Sequence, residues 1–150
     1  MVALQEEQTI HILNIVKEIE IAAPLEIAFE AMLAEMGPEA QMPDGTPYPL
    51  KLEAWPGGRW YRDLGDNTGH LWGHVQVIKP PKLIEICGPM FMSYAAASHL
   101  QYRLTADGNV THLKLTHTAF GLIPEDHRAG VNEGWQYKIE RIRKLAEQKS

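Results

Sequence analysis

HLQYRLTADGNVTHLKLTHTAF, residues 99–120, reads as two strands folded back on one another. Leu100, Tyr102 and Leu104 alternate with polar neighbours, and ADGN at 106–109 supplies the residues a tight turn favours. Leu113, Leu115 and His117 then resume the same two-residue period. A hairpin patterned this way is half-buried: one face belongs to a core, and something must cover it.

The cover is legible downstream. Val131, Trp135, Ile139, Ile142 and Leu145 recur at spacings of three and four, while Glu133, Gln136, Glu140, Arg143, Lys144 and Glu147 take much of the other surface. One long amphipathic helix is expected from about Asp126 to Gln148, with Asp126 as its cap. Gly134 weakens it by roughly 1 kcal/mol relative to alanine, which suggests a close backbone contact there.

Upstream, HLWGHVQVI (70–78) alternates His70, Trp72, His74 and Gln76 against Leu71, Gly73, Val75 and Val77, and KLIEIC (82–87) is another short strand. Leu13, Ile15, Ile19 and Ile21 share a strand face interrupted by Lys17. Pro24 suits a helix start, and Leu25, Phe29, Met32, Leu33 and Met36 follow at helical spacing until MGP stops them. Residues 37–49 hold four prolines and two glycines, a connection that is either a lid or rim, or inert. WPGGRWYRD (55–63) has two readings, an exposed aromatic and basic patch or a tight turn into a strand. The second fits better, with Gly57 and Gly58 shaping the backbone and Trp60 or Tyr61 turned inward. Strand, helix, several antiparallel strands and a long helix make an α+β layer arrangement.

Composition bounds the partners. The 150 residues suit one domain, able to bury roughly 70% of its extended surface. Fourteen Lys and Arg against 19 Asp and Glu give a net charge of -5, which argues against nucleic acid, whose phosphates need a concentrated basic surface. The single cysteine, Cys87, makes no internal disulfide and is expected to be buried structure. The start lacks a signal-peptide pattern, and no apolar run has membrane-spanning length. The expectation is a cytoplasmic protein with no membrane insertion. No coiled-coil heptad marks an interface, although a homodimer through a sheet edge stays open.

Several strings, in order, resemble the helix-grip superfamily of START and Bet v 1-like (SRPBCC) domains. IEIAAPLEIAFEAM resembles its opening strand, proline turn and first helix; PGGRW (56–60) resembles its glycine-rich start of a strand. GHVQVIKPPKLIEI, NVTHLKLTHTAF and HRAGVNEGWQYKIERIRKL are similar to its middle strands, penultimate element and terminal helix. Within the superfamily the chain looks like bacterial stand-alone proteins related to the C-terminal domain of the Hsp90 ATPase activator. The resemblance covers about residues 11–147. It implies a curved antiparallel sheet wrapped around the long C-terminal helix, with short helices after the first strand. On that reading residues 1–10 are a flexible or accessory segment and 11–150 a single START/Bet v 1-like domain.

The resemblance also implies a cavity between sheet and helix for a small hydrophobic ligand. Alternatives are a cofactor-independent enzyme on such a ligand, or a protein-interaction and stress-regulatory domain related to Hsp90 activators. Phe29, Trp60, Phe91, Tyr102, Leu113, Leu115, Trp135 and Ile139 are candidates for its wall, each equally at home in a packed core. His117 shares the parity of Leu113 and Leu115 and is the preferred polar contact; a core histidine satisfied by its neighbours is the other reading. His70 and His74 lie about 13 Å apart on a strand and cannot share a metal. No metal motif, nucleophile arrangement, GxGxxG or Walker loop is present, so no metal, cofactor or catalytic residue is assigned.

Overall fold

The computed structural model describes residues 7–149. Residues 1–6 of the expected accessory segment lie outside the described residues, and residues 7–10 run exposed into the first strand. In chain order the elements are β1 (His11–Ile21), α1 (Leu25–Glu35), β2 (Lys51–Leu52), β3 (Arg59–Gly65), β4 (Thr68–Lys79), β5 (Leu83–Gly88), β6 (Ala96–Asp107), β7 (Val110–Gly121) and α2 (Glu125–Glu147). The strands form one antiparallel sheet in the order β1-β7-β6-β5-β4-β3-β2. A single short helix follows the first strand, where the sequence suggested more than one.

The hairpin at 96–121 closes on two residues. Asp107 pairs with Val110, and Gly108 at φ +63 takes the left-handed position the turn requires. Leu100, Tyr102 and Leu104 face His117, Leu115 and Leu113 across the ladder, and all six are buried. The register carries this pattern over the sheet: Ile15, His117, Leu100, Ile86 and Val75 form one inward row. On α2, Val131, Trp135, Ile139, Ile142, Leu145 and Ala146 are buried against it. The cap differs from expectation. Pro124 occupies the N-cap without a side-chain hydrogen bond, so Asp126 lies inside the first turn, where its charge still favours the helix dipole.

The regular alternation expected along β4 fails at Trp72. The pairing shifts between Trp60 and Tyr61, whose partners are Gly73 and Leu71, leaving Trp72 as the extra residue of a bulge. The bulge turns Trp72 inward, so Trp72 and Val75 are both buried while His74 is exposed. Glycine makes the bend sterically accessible: a Cβ on Gly73 would stand 2.6 Å from the Cys87 carbonyl oxygen, and one on Gly88 2.4 Å from Gly73 Cα.

WPGGRWYRD is a turn into β3. Gly57 has φ +84, and a Cβ on Gly58 would collide with the Glu53 carbonyl at 1.9 Å. Trp60 is buried and donates its indole N–H to the Met36 carbonyl at 2.7 Å, while Trp55 is exposed. The two arginines are engaged within the protein. Arg59 Nε and Nη2 each donate to a Glu53 oxygen at 2.8 Å, and these bonds hold the Glu53 carboxyl down at about 2. Arg62 lies 3.6 Å from the centre of the Tyr48 ring. Cys87 is half-buried rather than buried, and its thiol donates to Gln76 Oε1 at 2.7 Å.

Candidate functional site

The space between sheet and α2 is largely filled. Phe29, Trp60, Tyr102, Leu113, Leu115, His117 and Ile139 are each at most 1% exposed and belong to the packed core. His117 lies at its centre. Trp135 Nε1, a donor only, donates to His117 Nδ1 at 2.8 Å; the proton of a neutral imidazole is therefore on Nε2, 2.9 Å from Ser98 Oγ. Both ring nitrogens are spent inside the protein, and desolvation pulls the imidazole down to about 4.

Open space begins at one end of this core, beside the other two expected wall residues: Phe91, which is half-buried, and Trp135, which lines the space although it is only 1% exposed. A cleft of about 370 Å³ runs along the N-terminal half of α2 and is lined there by Gly130, Val131, Gly134, Trp135 and Lys138. Its opposite wall is Tyr48, Trp72 and Phe91, with Gln41, Met42 and Pro43 at the rim. A second cleft of about 340 Å³, on the β4 side, shares Tyr48, Trp72 and Phe91 with the first. The rings meet edge-on or tilted: Trp72 and Phe91 have centroids 5.7 Å apart at 71°, and Phe91 and Trp135 6.2 Å apart at 55°.

Three local features make the cleft. First, Gly130 and Gly134 lie one helical turn apart, and a Cβ built on either meets nothing within 4 Å. Gly134 therefore leaves room beside the helix; it does not admit a close neighbour. Second, Met90 adopts the left-handed region at φ +58, and the chain there buries Met90 and Met92 while leaving Phe91 half-buried at the cleft wall. Third, the proline-rich connection is an ordered rim held by its own backbone bonds, Tyr48 N–H to the Ala40 carbonyl and Leu50 N–H to the Gly37 carbonyl, both at 2.9 Å. It is tied to α2 by Tyr137 Oη donating to Gln41 Oε1 at 3.1 Å and by Arg141 to Glu39 at 3.3 Å.

Behind the cleft lies a polar group that sequence reasoning missed. Lys138 Nζ donates to Glu35 Oε2 at 3.2 Å, with Glu35 only 1% exposed. Glu35 Oε1, Tyr102 Oη and Arg141 Nε are buried without a hydrogen-bond partner. Burial pushes the Glu35 carboxyl up from 4.5 to about 7, against the opposing pull of Lys138 and Arg141. A glutamate on the apolar face of α1 was the available signal, since its position in EAMLAEM follows the periodicity of the buried residues. Among the described residues, no three His, Cys, Asp or Glu side chains stand together as metal ligands. The remaining histidines are separate: His99 meets Glu85 at 3.1 Å, His112 meets Glu20 at 2.7 Å, His127 meets the Tyr94 hydroxyl at 2.6 Å, His11 is half-buried at the start of β1, and His70 and His74 are exposed. No described helix is long and apolar enough to cross a membrane.

Comparison places this architecture. An uncharacterized protein from Rhizobium leguminosarum superposes with a TM-score of 0.72 at 18% identity, over 95% of this chain and 99% of that one. The di-domain ARO/CYC StfQ from the steffimycin biosynthetic pathway superposes at 0.63 and 13% identity, over 92% of this chain and 51% of that one. Ara h 8.0201 gives 0.62 at 13% identity, over 92% of this chain and 99% of that one. At these identities the likeness concerns the fold, and the fold is the helix-grip arrangement of the SRPBCC and Bet v 1-like domains. No curated protein matches the chain. The family described as activator of Hsp90 ATPase homolog 1-like protein matches residues 23–147, and the chain belongs to that family.

Proposed function

We propose that the cleft along α2 binds a small, largely apolar molecule, with Trp72, Phe91, Trp135 and Tyr48 as its walls. The observation that carries this reading is the pair Gly130 and Gly134. Two glycines in a helix interior sacrifice roughly 1 kcal/mol each relative to alanine, and neither is required by a neighbour. Their effect is the open floor of a cleft whose volume falls within the range of small-molecule sites. The residues sealed in the core, His117 among them, support the wall residues from behind: Trp135 is held by His117, and Trp72 by its edge-on contact with Trp60 at 5.0 Å.

The test separates stability from binding. Gly130→Ala and Gly134→Ala should each stabilise the protein by about 0.5–1 kcal/mol in chemical denaturation. Gly134→Leu should fold and fill the cleft. Native mass spectrometry of freshly purified wild type should show a stoichiometric adduct that dissociates on unfolding, and the leucine variant should lack it. A folded Gly134→Leu protein carrying the same adduct would place the ligand elsewhere.

A further inference from the structure

We propose that the cleft takes a planar aromatic acid, with the acid group seated on the Lys138 ammonium. This rests on the reading of the cleft as the ligand site and adds the chemical class. Trp72, Phe91 and Trp135 meet at inclined angles beside a groove floored by glycine; the two indoles are nearly sealed, and the half-buried rings of Phe91 and Tyr48 are the aromatic surface offered to a flat π system. Lys138 is at the inner end. Its side chain is 15% exposed, its ammonium lies 6.0 Å from the Trp72 ring centre, and its hydrogen bond to Glu35 at 3.2 Å uses one of three donors.

Charge orients the ligand. Asp126 and His127 lie at the other end of the cleft, about 18 Å from Lys138 along the helix axis. An acid group at the inner end meets the Lys138 ammonium, whereas at the far end the Asp126 carboxylate and the positive N-terminus of α2 oppose one another. The groups facing Glu35 are Lys138 and Arg141 from α2 and Tyr102 from β6. Glu39 of the rim takes Arg141 at 3.3 Å, and burial keeps the Tyr102 hydroxyl protonated. Tyr48 and Tyr137 complete the titratable lining of the cleft. Glu35 is thus the anion that competes with a ligand for Lys138. When Glu35 is protonated, Lys138 lacks its bonded counter-charge and an incoming carboxylate supplies one. Because the Glu35 carboxyl is raised to about 7, a bound anion should be held more tightly on acidification from pH 8 to 6 and should draw a proton onto Glu35.

The experiment uses naphthoate and its neutral isostere naphthamide as probes of the full chain, following the indole N–H signals of Trp72 and Trp135 by NMR. Naphthoate should bind at least about tenfold more tightly than naphthamide at pH 6, the gain of a charge-assisted hydrogen bond. That preference should shrink toward pH 8 and vanish in Lys138→Met, with naphthamide unaffected. Glu35→Gln should abolish the pH dependence and keep the preference. If Lys138→Met unfolds because it strands the Glu35 carboxylate, the same comparison is made in the Glu35→Gln background. Equal affinities for the two probes, or a preference that survives loss of Lys138, would overturn the anion seat and leave the cleft as a ligand site. Indole signals unmoved by either probe would overturn the cleft reading itself.

Discussion

Trp135→Ala is expected to destabilise the protein by about 3–5 kcal/mol, a large fraction of the stability of an ordinary domain. Trp135 is 1% exposed, and its ring packs against His117 at 5.3 Å and Phe91 at 6.2 Å. Its removal empties the junction of helix and sheet and strands His117 Nδ1 without a donor. Trp135→Phe separates the two effects. It keeps most of the packing and loses the indole N–H, so the expected loss is about 1–3 kcal/mol. The imidazole in that variant should still titrate well below its ordinary 6.5, because the burial that depresses it is kept. Urea denaturation gives the first quantity and NMR titration of the ring the second. A phenylalanine variant as stable as wild type would show that the indole–imidazole bond contributes nothing.

The second large effect is a pair of opposed pH dependences. His117 titrates at about 4 when folded against 6.5 when unfolded, so below 6.5 the unfolded chain binds the extra proton. The stability His117 confers is present above pH 6.5 and is lost as pH falls through 4. Glu35 titrates at about 7 when folded against 4.5 when unfolded, so the folded chain binds the extra proton. Its contribution is present below pH 4.5 and lost as pH rises through 7. At about 1.4 kcal/mol per pH unit, each amounts to about 3 kcal/mol. Between pH 4.5 and 6.5 the slopes oppose and largely cancel. Glu35→Gln should therefore gain about 3 kcal/mol on wild type as pH rises from 4.5 to 7. His117→Asn should gain a similar amount on wild type as pH falls from 6.5 to 4. Denaturation curves across pH 4–8 read both differences; differences flat with pH would refute the opposition.

Much of the fold was legible because strand period and helix period are properties of local sequence. Leu100, Tyr102, Leu104, Leu113, Leu115 and His117 face the core as the alternation requires, and α2 is within a residue of its expected bounds. The site was less legible, for three reasons. Trp72 breaks the alternation through a bulge, and a bulge depends on the pairing partner, Trp60 to Gly73, which no single strand encodes. Gly134 gives the same local signal whether it admits a neighbour or leaves a space. Glu35 and Lys138, 103 residues apart, reveal a buried pair only once α1 and α2 are packed. Phe91 and Trp135 were within reach as candidates; which wall residues border open space and which are sealed depends on how completely the core fills.

The pairing of β1 with β7 also sets an order of events during synthesis. Partners such as His11 with Gly121 and Ile21 with Thr111 are about 100 residues apart in the chain. At about 5–20 residues per second, β1 exists for about 5–20 s before its partner has been made. Its apolar residues Leu13, Ile15, Ile19 and Ile21 have no ladder to join during that interval. Stalled nascent chains ending before Val110 should be cleaved by protease within β1, and chains extending past α2 should resist; early protection would refute this order. Among the described strands the first to be synthesised thus pairs with the last, so a nascent chain carries β1 without its ladder until β7 has been made.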